Sequence, residues 1–285
     1  MAMNEPDPRV QEILDSPSYV LAEEDTALLA RPELRPVRLQ LELLKPEMAL
    51  NAREISSTIV VFGSTRILER EALEEQHRLY SKAAAADPRD RAAARALERC
   101  ERLLAKIRFY DEAREFARLA SIESKANGRR YVVVTGGGPG IMEAANRGAS
   151  DVGEPSVGLN ITLPHEQFPN PYITPELCFQ FHYFALRKMH FLLRAQALVV
   201  FPGGFGTIDE LFDALTLRQT NRMQRIPIIM YGRGYWEQAV NLQFLADEGA
   251  ISDEDLDLVA YADTPQEAWQ LIRDFPRIES PRASE

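Results

Sequence analysis

Short apolar runs that alternate with helical patterns are the feature that most limits how this chain can fold. Each run has the length of a β-strand, and the five clearest are 58–62, 131–135, 157–161, 197–201 and 226–230. Unbroken apolar runs of this kind are typical of strands buried on both faces of a parallel sheet. Weaker runs at 177–181 and 258–261 are further strand candidates. Pro227 lies inside the fifth run and favours a position near an edge for that strand.

Helical patterns fill the chain between these runs, at about 140–150, 183–196, 207–220, 234–247 and 264–274. Strands that alternate with helices predict βαβ units, and hence an α/β fold with a doubly wound parallel sheet. Because the crossovers in such sheets are right-handed, the carboxyl ends of the strands lie at one edge, where ligands bind.

Two regions fall outside this alternation. Residues 1–55 contain several prolines and no clear strand, which predicts a helical or partly extended N-terminal arm. Residues 67–126 are rich in Ala, Glu, Arg and Leu and break at Asp87-Pro88, which predicts two or three helices inserted after the first strand. We therefore expect one α/β domain over 56–275, followed by a C-terminal tail over 276–285. For the inserted helices we expect a packing role rather than a chemical one.

Charge and cysteine usage argue against several classes of protein. The chain of 285 residues has a formal net charge of −10, which argues against a general nucleic-acid-binding protein. Cys100 and Cys178 form neither a disulfide framework nor a metal-binding pair. His182 and His190 have no carboxylate or cysteine at ligand spacing, so we expect no metal site. The N-terminus lacks a signal-peptide pattern and no apolar run has the length of a membrane span, so we expect a cytoplasmic protein.

Glycines concentrate in two windows, each directly after a predicted strand and directly before a predicted helix. Seven of the 15 glycines lie there: Gly136, Gly137, Gly138, Gly140, Gly203, Gly204 and Gly206. Glycine lets the backbone approach a ligand closely, and the following helix offers unpaired N–H groups to an anion. Neither window is a Walker A loop, and both miss GxGxxG because an isoleucine stands at the third glycine position. A single phosphate or a mononucleotide therefore fits better than a dinucleotide, and tight turns without a ligand are the alternative.

Charged residues near the second window have both an ordinary and a functional interpretation. Thr207 begins the predicted helix and Glu210 follows three residues later, which matches a capping box, and the local sequence favours that role. The alternative is that the Glu210 carboxylate lies beside a bound phosphosugar. Arg187 and Lys188 are likewise either two solvated charges on a helix or part of a site.

Taken together, these segments resemble one protein family closely. Residues 202–210, PGGFGTIDE, match the PGGxGTxxE signature of the LONELY GUY (LOG) family. Arg187-Lys188 stands 23 residues before Glu210, where that family carries its Arg-Lys pair. The segment GGGPGIME at 136–143 looks like the family's other glycine loop, and VFGS at 61–64 looks like its first strand and turn. The resemblance covers about residues 56–275.

The resemblance implies a Rossmann-like fold, a homodimer or higher homo-oligomer, and a hydrolase that needs no cofactor. LOG enzymes are phosphoribohydrolases, which cleave the N-glycosidic bond of a nucleoside 5′-monophosphate to a free base and ribose 5-phosphate. Their substrates include cytokinin nucleotides and AMP, and AMP is the first candidate here. Similar proteins have also carried a lysine decarboxylase label, but these residues contain no evident constellation for pyridoxal phosphate.

The resemblance also assigns roles to single positions. Arg187 and Glu210 take the catalytic roles. The second glycine window would hold the 5′-phosphate, Lys188 and Asp209 would line the site, and the first window would also contribute to it. The expected substrate-binding residues are therefore Gly136, Gly137, Gly138, Lys188, Gly203, Gly204, Gly206, Thr207, Asp209 and Thr216.

A non-catalytic carrier or sensor of a nucleotide or nucleotide-like cofactor is the alternative on the same fold. It predicts saturable binding without release of a free base, and the enzyme-like spacing of Arg187 and Glu210 counts against it. An assembly protein that acts through the inserted helices is a third interpretation, because the fold alone does not decide function.

Overall fold

The computed structural model describes residues 7–126, 128, 130–163 and 168–275. The chain divides into two units, Met1–Lys45 and Pro46–Glu285. The predicted C-terminal tail over 276–285 lies outside the described residues. The expected limits of arm, domain and tail therefore stay predictions.

The first unit consists of short helices. Its elements are α1 (Pro8–Leu14), a 3₁₀ turn (Pro17–Tyr19), α2 (Thr26–Ala30), a second 3₁₀ turn (Pro32–Leu34) and the first part of α3 (Arg35–Ala52). The side chain of Asp7 accepts a hydrogen bond from the Arg9 N–H and caps α1. The side chain of Asp25 accepts from the Leu28 N–H at 2.8 Å and caps α2. The sequence predicts a helical or partly extended N-terminal arm, and the described residues of this unit form helices.

Among the described residues, seven strands form one sheet. They are β1 (Thr58–Phe62), β2 (Val132–Thr135), β3 (Ser156–Ile161), β4 (Cys178–Phe181), β5 (Ala195–Val200), β6 (Ile228–Tyr231) and β7 (Val259–Ala262). The strand order is β4-β3-β2-β1-β5-β6-β7 and every neighbouring pair is parallel. Strands β2, β3 and β4 follow β1 in turn on one side of the sheet, and β5, β6 and β7 follow it on the other side. The predicted α/β fold with a doubly wound parallel sheet is confirmed.

Both faces of the sheet are buried, which explains why its strands appear in the sequence as unbroken apolar runs. Successive side chains of a strand point to opposite faces. Ile59 and Val61 accordingly pack in one hydrophobic cluster, while Val60 and Phe62 pack in the other. All four side chains are at most 5% exposed.

Helices alternate with these strands along the second unit. They are α4 (Arg70–Ala86), α5 (Arg91–Leu104), α6 (Arg108–Ala126), α7 (Ile141–Ser150), α8 (Phe184–Leu193), α9 (Phe205–Gln219), α10 (Arg233–Ala239), α11 (Leu242–Asp247) and α12 (Pro265–Asp274), with 3₁₀ helices at Pro175–Leu177 and Asp253–Leu258. The predicted helical insertion after the first strand is confirmed as α4 to α6. Helix α6 packs on the sheet through residues such as Phe116, whereas α4 and α5 bury only Leu73 and Cys100. The crossover to β2 is therefore made by α6, and α4 and α5 are the additional pair.

Strand β6 begins after Pro227 and lies between β5 and the edge strand β7, so it is near an edge, as expected. Pro227 has no N–H to donate, but its carbonyl accepts a hydrogen bond from the Leu198 N–H of β5 at 3.0 Å. The helix expected over 234–247 is two helices, because the side chain of Asn241 accepts from the Phe244 N–H at 2.9 Å and starts α11.

Candidate active site

A cavity of about 570 Å³ opens at the carboxyl ends of β1, β2 and β5. This is where the strand order reverses, the usual ligand position in a doubly wound sheet. Backbone hydrogen bonds join the three loops that form its wall. Ser64 N–H donates to the Pro202 carbonyl at 3.0 Å, and Ile141 N–H donates to the Ser64 carbonyl at 3.1 Å. Loops from distant parts of the sequence thus form one continuous wall.

The first glycine loop, Gly136 to Gly138, is buried and closely packed. A Cβ atom on Gly136 would lie 2.5 Å from Nη2 of Arg187, so only glycine allows the guanidinium to lie there. Gly137 has a φ of +72°, and a Cβ atom on it would collide with the side-chain oxygen of Asn160. Residues other than glycine are therefore excluded at Gly136 by lack of space, and at Gly137 by both lack of space and backbone conformation.

Buried side chains hold the first glycine loop in place. Asn170 Nδ2 donates to the carbonyls of Gly137 at 3.2 Å and Gly138 at 3.1 Å, and to Asn146 Oδ1 at 2.9 Å. Thr135 Oγ1 donates to Asn146 Oδ1 at 2.7 Å and accepts from the Gly137 N–H at 3.0 Å. Because these groups satisfy the inward-facing backbone, the loop has a fixed shape before any ligand binds.

The second glycine loop leads directly into α9. This helix begins at Phe205 with Gly204 as its N-cap, and among the described residues no side chain caps it. Its first N–H groups therefore face the cavity without partners and carry the positive end of the helix dipole. Gly203 is fixed behind them, because Tyr235 Oη donates to its carbonyl at 2.6 Å. This arrangement suits an anion such as phosphate.

The expected capping box of Thr207 and Glu210 is wrong. Because α9 begins two residues before Thr207, both residues lie inside the helix and neither is its N-cap. Thr207 is buried against Gly203, and Glu210 lines the cavity. The cap cannot explain Glu210, which leaves its carboxylate available for another role.

Glu210 and Arg187 both line the cavity, and their charges influence each other. The Glu210 residue is only 8% exposed. Burial raises the pKa of its carboxyl to about 7, against the opposite influence of Arg187 and Lys188. Burial also lowers the pKa of the Arg187 guanidinium, which the charge of Glu210 opposes. A carboxyl that titrates near neutrality in a cleft is typical of a general acid or base.

The Arg187 guanidinium is oriented by its surroundings. Its Nε donates to the Leu159 carbonyl of β3 at 2.8 Å, and its Cζ atom lies 5.2 Å from the centre of the Phe191 ring. These contacts use the Nε–H group and one face of the guanidinium plane. The terminal nitrogens therefore remain free to donate hydrogen bonds, and one of them, Nη2, lies beside Gly136. They can act there as directed donors.

The structure brings most, but not all, of the expected site residues together. The cavity is lined by Gly136, Arg187, Gly204, Gly206, Thr207, Asp209 and Glu210. Gly137, Gly138 and Gly203 support the two loops from behind. Lys188 lies at the rim, where its Nζ is 2.7 Å from Asp209 Oδ1. Thr216 is exposed and does not line the cavity, and its Oγ1 donates to the Phe212 carbonyl at 2.8 Å. Its binding role stays a prediction.

Several cavity residues were not expected from the sequence. Ser64, Thr65 and Arg66 follow β1, and Asn160 comes from the end of β3. The VFGS segment indicated the turn after β1, but no local pattern distinguished the residues that follow it.

In the described part of the chain, no group of three or more His, Cys, Asp or Glu side chains is placed to hold a metal ion. None of the described helices is long and apolar enough to cross a membrane.

Comparison with known proteins gives a family and several distant structures. Residues 142–272 match the family described as "Possible lysine decarboxylase". The molybdenum cofactor binding protein from the phototrophic bacterium Rippkaea orientalis is 18% identical, with 58% of this chain and 86% of that chain covered and a TM-score of 0.41. The molybdenum cofactor carrier protein from Chlamydomonas reinhardtii is 19% identical, with the same coverage, 58% and 86%, and a TM-score of 0.41. A structural-genomics target is 21% identical, with 77% and 99% covered and a TM-score of 0.46. No curated protein matches the chain.

Proposed function

We propose that the chain hydrolyses the N-glycosidic bond of a nucleoside 5′-monophosphate, starting from the match of residues 142–272 to this LOG-like family. The products are a free base and ribose 5-phosphate, and AMP is the first candidate substrate. The observation that carries the proposal is Glu210, a buried carboxyl with a pKa of about 7 that lines the same cavity as Arg187. The volume of that cavity, about 570 Å³, is in the usual range for a small-molecule site.

The uncapped start of α9 supports binding of the 5′-phosphate. Gly204 and Gly206 are exposed at this helix end, and these two residues carry no side chain that would hinder an approaching phosphate oxygen. The helix terminus alone contributes about 0.3–2 kcal/mol, so direct N–H hydrogen bonds and a nearby cation must add to it. Lys188 at the rim and Arg66 in the wall are the cations available.

The pair Glu210 and Arg187 supports cleavage of the glycosidic bond. As the C–N bond breaks, positive charge develops on the ribose, and a nearby carboxylate stabilises it. Glu210 then accepts a proton from the attacking water, whose oxygen forms the new bond to the sugar. Arg187 donates hydrogen bonds that hold the substrate. The leaving base takes up a proton from solvent as it departs, and Glu210 then releases to solvent the proton that it accepted from the water. The phosphate is remote from the reacting bond, so its binding energy positions the sugar against Glu210.

Incubation with a panel of nucleoside 5′-monophosphates, followed by chromatography, tests the proposal. We expect a free base from at least one monophosphate and none from the matching nucleosides, because these lack the anchoring phosphate. Monophosphates that bind without releasing a base would favour the carrier or sensor instead. Equal cleavage of nucleosides and monophosphates would contradict the role of the α9 N-terminus.

A further inference from the structure

A second cavity, of about 420 Å³, lies between the loop after β1 and the inserted helices α4 and α5. Thr65 and Arg66 line both this cavity and the main one, so the two adjoin at that loop. Gln76 and Tyr80 of α4 and Arg99 of α5 form much of the remaining wall. The inserted pair of helices therefore creates a space that the sheet and its crossover helices alone would not enclose.

The charge of this second cavity has one sign. Its only charged lining residues in the described chain are Arg66 and Arg99, and no aspartate or glutamate lines it. Neither arginine forms an ion pair among the described residues, although the chain carries 43 acidic side chains. The Arg99 Nε donates to the Arg95 carbonyl at 3.2 Å, which orients the side chain along α5 and leaves its terminal nitrogens free to donate. Two such arginines at one cavity are typical of a site for an oxyanion.

We propose that the second cavity is a phosphate subsite, in which Arg66 and Arg99 bind a phosphoryl group distinct from the one at the α9 N-terminus. The planar guanidinium groups match the geometry of phosphate, and Gln76 and Tyr80 add neutral donors. The phosphoryl group belongs either to the nucleotide in the main cavity, as its second phosphate, or to a separate phosphate compound. The placement of the first phosphate rests on the proposed function, but the subsite itself does not.

Calorimetric titrations of Arg99→Gln test the subsite, with Arg91→Gln as the control. Arg91 lies two helical turns earlier on α5, is exposed and lines neither cavity, so its substitution removes the same charge elsewhere. In the first series, AMP and ADP are titrated in the Glu210→Gln background, which prevents turnover. In the second, inorganic pyrophosphate is titrated into the chain with Glu210 intact, with and without each arginine substitution. That chain is first saturated with ribose 5-phosphate, which has no base to lose.

We expect Arg99→Gln to weaken one of two interactions by at least about tenfold and Arg91→Gln to leave both unchanged. Selective weakening of ADP, with AMP unaffected, would identify the second phosphate of one nucleotide. Loss of pyrophosphate binding beside ribose 5-phosphate would identify a separate ligand. If Arg99→Gln changes neither interaction more than Arg91→Gln does, the subsite is refuted. Failure of the proposed function would look different: AMP and ribose 5-phosphate would not bind, while pyrophosphate binding still depended on Arg99.

Discussion

Replacing Glu210 with glutamine should stabilise the protein at high pH while it abolishes most of the activity. Glutamine has the shape of glutamic acid but never ionises, so the substitution removes the buried charge without opening a cavity. Because Glu210 does not cap α9, no helix-capping interaction is lost with it. We expect the turnover rate to fall by roughly 10²-fold or more, as for a general acid or base.

The size of the stability effect follows from the pKa of Glu210. Its folded-state pKa of about 7 lies above the ordinary value of 4.5, so folding favours the protonated carboxyl. The stability that this group contributes is present below pH 4.5 and is lost as the pH rises through 7. The difference between the two pKa values corresponds to roughly 3 kcal/mol at high pH. Glu210→Gln should avoid this penalty, because its side chain stays neutral.

Thermal unfolding of both proteins between pH 4 and pH 9 measures this difference. At about 2 °C per kcal/mol, the variant should melt close to the wild type near pH 4 and about 6 °C above it at pH 9. Other titrating groups are common to both proteins and cancel in the comparison. Glu71→Gln, an exposed position on α4, provides the control for loss of a carboxylate and should not reproduce the rise in Tm at pH 9. A Tm difference for Glu210→Gln that does not change with pH would refute the reasoning, whatever happens to the activity.

Other substitutions examine the remaining parts of the site. Arg187→Lys removes the Nε donor to the Leu159 carbonyl and should lower kcat at least about tenfold, and an unchanged kcat would contradict its directed role. Tyr235→Phe removes the hydrogen bond to Gly203 and should cost about 1 kcal/mol in chemical denaturation while it raises KM more than it lowers kcat. Gly137→Ala meets the Asn160 side chain and should destabilise more than Gly153→Ala, which has a similar positive φ but open space around it; equal losses would show that the contact does not matter.

The sheet was predictable because burial on both faces leaves a direct signal in the sequence. In β1, every residue of Thr58–Phe62 is buried, so no polar alternation interrupts the run. The break between α10 and α11 left a much weaker signal. The helical pattern continues past Val240, and the break depends on a single side-chain cap at Asn241.

The site was predictable where it is local and unpredictable where it is assembled over long distances. The two glycine loops follow from local patterns, whereas the pairing of Arg187 with Glu210 rests on the resemblance to the LOG family. The capping box failed because backbone geometry at Gly204, rather than the Thr207 side chain, starts α9. Arg66 reaches the cavity wall and Asn170 reaches the first glycine loop only through the packing of distant segments, which a local pattern does not encode.

The hydrogen bonds that join the loops after β1, β2 and β5 also determine when the cavity can exist. Ser64 contacts both Pro202 and Ile141, so the wall needs three strands in register that are far apart in sequence. A chain growing on the ribosome lacks the third of these loops until α9 has emerged. Contacts between such distant segments are closed late in folding and slow it. Ligand binding at this cavity therefore reports that β1, β2 and β5 have assembled, and a chain truncated before β5 would lack the site.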